Sequence, residues 1–143
     1  KFKGIMTQEY PPYSAKRVNG KPLWYYYKNN INVSLPKHNI EIYSLKYLDV
    51  IYISLNDFVC DIIEKIKGLD STYDFRQQEI IKKWKLFLEL NKHYTQKIMI
   101  LKLKAHVSSG TYIRVLVRDI CKYLGILGMT TDIYRTNVGT YKI

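Results

Sequence analysis

Only two cysteines, Cys60 and Cys121, occur in 143 residues, too few for a disulfide framework or a cysteine-rich zinc site. Two reduced thiols fit an intracellular protein, with no preference among cytoplasm, nucleus or organelle. No apolar run approaches the length of a membrane span or a secretory signal, so no membrane partner is expected. Acidic residues are scarce as well: 12 Asp and Glu stand against 23 Lys and Arg, leaving a net charge of +11. That imbalance by itself favours a polyanionic partner such as RNA, DNA or a membrane surface, although a chain this rich in Lys, Tyr, Ile and Asn can also reflect a biased genome composition. The P-loop, the dinucleotide fingerprint and HExxH are missing, and Ser, His and Asp occur without a nucleophile elbow. No recognition helix with turn-helix spacing is present, which disfavours a DNA-binding domain. No repeat or low-complexity tract appears, and the chain opens on Lys1, as a piece cut or processed from something longer would.

What is present suits one domain with a real core, since 47% of the residues are apolar. KFKGIMTQE alternates, with Phe2, Gly4 and Met6 on one side, and predicts a short strand. Pro11 and Pro12 then impose an extended segment, Asn19-Gly20 a tight turn, and Pro22 to Lys28 a short aromatic helix. Its aromatics, interleaved with Lys16, Arg17, Lys21 and Lys28, suit base stacking and equally suit core rings with snorkelling lysines. Residues 39–55 are β-branched and aromatic and predict one or two strands. Helical periodicity governs 56–96, with Val59, Ile62, Ile63 and Ile66 in one helix and Ile80, Ile81, Trp84, Phe87 and Leu88 in a second. Lys82, Lys83 and Lys85 fall off the second stripe, so a helical hairpin laid on a sheet with a solvated basic face is the simplest reading. In QKIMILKLKAHV, Met99, Leu101, Leu103, Ala105 and Val107 predict a strand with that face buried. His106 on its other face has no second ligand at metal spacing and reads as a surface or RNA-contacting residue. A last strand is predicted over Ile133 to Tyr141, interrupted at Gly139.

The most informative stretch is 107–125, VSSGTYIRVLVRDICKYLG, a strand running through a Ser-Ser-Gly-Thr turn into an amphipathic helix. Ser108, Ser109 and Thr111 are N-cap candidates, so the helix should start near Thr111 and stop at Gly125. Ile113, Leu116, Val117, Ile120 and Leu124 define its apolar stripe. Arg114, Arg118 and Lys122 recur every four residues, a spacing at which like charges repel by roughly 0.2–0.5 kcal/mol per pair. Either the row is a solvated face or something anionic lies beside it. Arg114 is the odd member, because a cation in a first helical turn opposes the dipole. Its placement calls for a carboxylate or phosphate partner.

SSGTYIRVLVRDICKYLG followed by IYRTNVGTY resembles the closing motifs of the TruB family of tRNA pseudouridine synthases, CSxGTYIRsLaxDlGxxLG and LrRTxVGxF. QEYPPYSAKRVNGKPL is similar to that family's QxPPxYSAlKvnGkrL, in the right order. The resemblance implies an α+β fold, a mixed, largely antiparallel sheet flanked by helices. It also implies a partial domain, the C-terminal half of a catalytic domain across 1–143 with a helical insertion at about 56–96. The implied activity is isomerisation of a T-loop uridine to pseudouridine without any cofactor or metal, on a flipped-out base. The partner implied is the tRNA T-arm stem-loop. Arg114 matches the arginine that pairs with the nucleophilic aspartate, Tyr112 the motif tyrosine at the base pocket, and Ile133 a pocket leucine. Gly110, Thr111 and Arg17 complete the expected substrate contacts.

Several positions depart from the family pattern. The nucleophile's GxLDPxATG motif is expected before QxPPxYSA and does not occur in the chain; GLDS at 68–71 lacks its Pro and ATG and follows rather than precedes that segment. Tyr10 stands for the first Pro of the motif, and Val107 for the Cys ahead of the turn. The expectation is an inactive fragment with a companion N-terminal half that carries the aspartate. The competing expectation is a non-catalytic RNA-binding or RNA-chaperone domain on the same scaffold.

Overall fold

The computed structural model describes residues 2–70, 72 and 76–143; Ser71, the last residue of the GLDS stretch, lies outside them. Strand β1 (Gly4–Glu9) pairs antiparallel with the long β4 (Lys37–Ile53), Gly4 opposite Ile42 and Glu9 opposite Lys37. The strand β5 (Ile98–Val107) completes the sheet in the order β1-β4-β5. Between β1 and β4 lie the two-residue strands β2 (Arg17–Val18) and β3 (Lys21–Pro22), then helix α1 (Leu23–Lys28). Asn19 and Gly20 both take positive φ between β2 and β3, the backbone a two-residue hairpin turn demands. The stretch predicted as one or two strands over 39–55 is a single strand that begins two residues earlier, at Lys37, and ends at Ile53, Leu55 opening the helix that follows.

The chain forms two compact units, residues 1–46 with 104–143, and residues 47–103. The second holds α2 (Leu55–Lys67) and α3 (Gln77–Leu90), which pack through Leu55, Phe58, Val59, Ile62, Ile63 and Ile81. Ile53 of β4 and Ile98 and Ile100 of β5 close this core, giving the helical hairpin on strands that the periodicity predicts. Ser54 caps α2, its Oγ accepting the Asp57 N–H at 3.0 Å. Lys82, Lys83 and Lys85 are exposed on α3, as their place off the apolar stripe requires.

In the first unit, α4 (Ile113–Leu124) packs on the sheet through Leu116 and Ile120 against Ile40, Ile42, Met6, Leu45 and Val107. Ile42 is fully buried there, and Ile42→Val should lower stability by about 0.5–1.5 kcal/mol, read as a shift in thermal denaturation.

Four expectations are corrected. Helix α4 begins at Ile113 with Tyr112 as its N-cap and no side-chain cap, because the hydroxyls of Ser108 and Thr111 serve the turn instead. Leu124 is 56% exposed while Val115 is buried, since the last turn runs past the strands that cover the earlier ones. On β5, Met99, Leu101 and Leu103 are exposed and Ile98 and Ile100 turn inward. Alternation marks a face fit for burial without saying which chain covers it. Finally, 126–136 is irregular, and the predicted last strand is a small hairpin, β6 (Asn137–Val138) with β7 (Tyr141–Lys142), turned by Gly139 at φ +58.

Candidate active site

The turn that feeds α4 is tied to the sheet at every second residue. Ser108 donates its N–H to the Glu41 carbonyl and accepts the Glu41 N–H on its Oγ, each at 2.8 Å. At Gly110 the carbonyl lies 3.1 Å from His38 Nε2, and a carbonyl can only accept, so Nε2 carries the proton. The φ of +82 at Gly110 is why a glycine stands there. Tyr112 donates its N–H to Gln8 Oε1 at 2.8 Å and accepts from Gln8 Nε2 at 3.2 Å. Thr111 Oγ1 closes the turn on the Ser108 carbonyl at 2.8 Å.

Three rings gather around these ties. Tyr10 stacks on His38 with centroids 4.2 Å apart, and Tyr112 presents an edge to Tyr10 at 5.7 Å and to His38 at 6.2 Å. Lys16 Nζ sits 5.1 Å from the centre of the Tyr10 ring, a cation–π distance. His38 Nδ1 is buried without a partner among the described residues.

Arg114 projects from the first turn of α4, which holds no acidic residue. It is exposed, and no hydrogen bond or ion pair engages its guanidinium among the described residues. The positive helix end and the guanidinium together favour an anion here. The other members of the row differ. Arg118 places Nε and Nη2 each 3.0 Å from Asp119 Oδ1. Lys122 joins Arg118, Asp119, Thr7, Glu9 and Lys37 around an open cleft of about 260 Å³. Glu9 and Lys37 pair there at 3.5 Å, so most of this charge is matched locally.

Gly110, Thr111, Tyr112 and Arg114 thus share one turn and helix start. Arg17 bonds to the Gly20 carbonyl within its own hairpin at 3.3 Å, and Ile133 is exposed in the irregular stretch 126–136. No hydrogen bond or ring contact joins either to the Tyr112 group among the described residues. Gln8, Tyr10 and His38 are the additions that sequence reasoning missed. Gln8 carried a readable signal, since it continues the Phe2, Gly4, Met6 series onto the inward side of β1. Among the described residues no His, Cys, Asp and Glu group could hold a metal, and no helix is long and apolar enough to cross a membrane.

An antiparallel β1–β4 pair and an amphipathic helix entered through Gly-Thr-Tyr-Ile-Arg make this an α+β, pseudouridine synthase-like fold. Residues 1–62 match the family model described as TruB family pseudouridylate synthase (N terminal domain). The chain is 30% identical over 142 residues to tRNA pseudouridine synthase B of Caldanaerobacter subterraneus, covering 99% of the chain and 34% of that protein. It is 28% identical over 143 residues to tRNA pseudouridine synthase B of Lactobacillus gasseri, covering 100% and 35%. The enzyme of that name from Mycoplasma capricolum is 28% identical over 144 residues. The chain is thus similar to the TruB family, in residues 1–62 by the family model and over nearly its whole length by these relatives, and it spans about a third of their length.

Proposed function

We propose that this chain is part of a tRNA pseudouridine synthase that isomerises a uridine in the T-loop. Arg114 carries the reading: an exposed guanidinium, without a hydrogen bond or ion pair among the described residues, at a dipole-opposed position in the helical turn that follows Tyr112. Its partner is the carboxylate of a nucleophilic aspartate supplied from outside the chain, held ionised and oriented by the pair. The uridine leaves its stack, which costs a few kcal/mol offset by contacts in the pocket and along the backbone. The carboxylate attacks C1′ of the ribose as its bond to N1 breaks, the freed uracil turns, and C5 joins C1′ as the carboxylate leaves. The C5 proton leaves as N1 gains one, so the change is an isomerisation and calls for no cofactor. Tyr112, Gly110 and Thr111 border the base, while Ile133 and Arg17 contribute where 126–136 and the β2–β3 hairpin meet the RNA.

A companion N-terminal half that bears the aspartate has a surface to bind. Met99, Leu101 and Leu103 are exposed on β5. Residues 56–96 are proposed as an insertion, supported by their lying within a unit that has its own core.

The test is release of tritium from a T-arm stem-loop labelled at uridine C5. The native full-length protein is expected to release one equivalent per site and the 143-residue chain alone none. Tight binding by the native protein without release would overturn the enzyme reading in favour of an RNA-binding module, which the net charge alone would also suit.

A further inference from the structure

We propose that Gln8 is the positioning residue for Arg114, acting through the Tyr112 backbone; this rests on the catalytic reading of Arg114 given above. Gln8 is 2% exposed, and both polar atoms of its amide are spent on one residue 104 positions away, Oε1 on the Tyr112 N–H and Nε2 on the Tyr112 carbonyl. A primary amide offers a donor and an acceptor in one plane, as a backbone peptide does. Gln8 therefore acts as a side-chain extension of β1 that pairs with the residue capping α4.

The Tyr112 carbonyl that Gln8 holds is also the first acceptor of the helix, taking the N–H groups of Val115 and Leu116 at 3.0 Å each. Displacing it turns the first helical turn, and Arg114 sits in that turn two residues on. The other ties, Ser108 to Glu41 and Gly110 to His38, fasten the turn further from Arg114. They keep the chain path in place when Gln8 is altered. Loss of the Gln8 amide should then misplace the guanidinium without dismantling the turn. Met keeps the length and lacks both hydrogen bonds; Glu keeps the acceptor and lacks the donor.

The experiment uses the native full-length protein and the tritium-release reaction. Gln8→Met is expected to lower kcat about 10²-fold, the loss that a misplacement of about 1 Å brings, with KM little changed. The double variant Gln8→Met with Arg114→Met should have the kcat of Arg114→Met alone, because residues acting through one group do not lose independently. A kcat for folded Gln8→Met equal to that of the native protein overturns the proposal, and so does a double variant whose loss is the product of the two single losses. If circular dichroism shows that Gln8→Met does not fold, Gln8→Glu is measured in the same way. It should show a smaller kcat loss that again vanishes in the Arg114→Met background. An Arg114→Met protein with native kcat would instead overturn the catalytic reading itself. A normal loss there beside an intact Gln8→Met overturns only the role of Gln8.

Discussion

Arg114→Met in the native full-length protein is expected to lower kcat for pseudouridine formation by about 10²–10³-fold while leaving KM nearly unchanged. On the proposed reading the loss falls on kcat, because the guanidinium would address the reacting carboxylate while RNA affinity would be spread over the other cations of the first unit. Arg114→Lys should recover only part of it, since an ammonium is a point charge without the planar fork that holds a carboxylate at two points. The pH profile carries a second signature. A neighbouring cation lowers a carboxylate pKa, so its removal should move the acidic limb of kcat upward. Stability should move the opposite way from activity. With no acid in the first turn, a cation there opposes the dipole, an effect worth typically 0.3–1 kcal/mol, so the Met variant should be as stable as the native protein or slightly more so. A kcat unchanged by Arg114→Met in the tritium assay would remove the catalytic role of this residue.

Local patterns made much of the fold legible. The Asn19-Gly20 turn, the aromatic helix after Pro22, the Gly125 stop and the two apolar helices each follow from a few neighbouring residues, and each is found. Burial was harder to read. Met99, Leu101 and Leu103 alternate as a buried face should, yet burial depends on what lies opposite, which the residues of a strand do not encode. Helix α4 starts at Ile113 rather than near Thr111 for a related reason: Ser108 and Thr111 have the chemistry of caps, but their hydroxyls are taken by Glu41 and by the turn. Within the candidate site, Arg114 stood out because it violates a local rule. Gln8 and His38 violate none, and their roles arise from partners 104 and 72 residues away. Spacing cannot reveal such partners, although a Gln on the inward side of a strand signals that a buried partner is needed.

Charge is divided between the two units far more unevenly than the total suggests. Residues 1–46 and 104–143 hold 14 Lys and Arg against 4 Asp and Glu, a net +10, while 47–103 hold 9 against 8, a net +1. Local pairing occurs in both units and leaves the contrast in place: Lys37 pairs with Glu9 and Arg118 with Asp119 in the first. Lys65 pairs with Asp61 at 2.8 Å, Lys67 with Glu64 at 2.7 Å and Lys83 with Glu79 at 2.6 Å, all on α2 and α3. In the first unit Lys21 bonds to the Tyr25 hydroxyl at 3.1 Å, an interaction that raises its pKa and keeps it charged. RNA affinity should therefore depend steeply on salt, falling about 10³-fold between 50 and 200 mM if about six phosphates are neutralised. That dependence should belong to the first unit. Replacing Lys16, Lys21 and Lys28 by Gln should reduce the slope of log affinity against log salt by about one for each phosphate that is no longer neutralised. The same replacement of Lys82, Lys83 and Lys85 on α3 should leave the slope where it was, because those cations stand in a nearly neutral field. Equal reductions of slope by the two triple variants in a salt titration of T-arm binding would show that the helical block, despite its balanced charge, lies along the RNA.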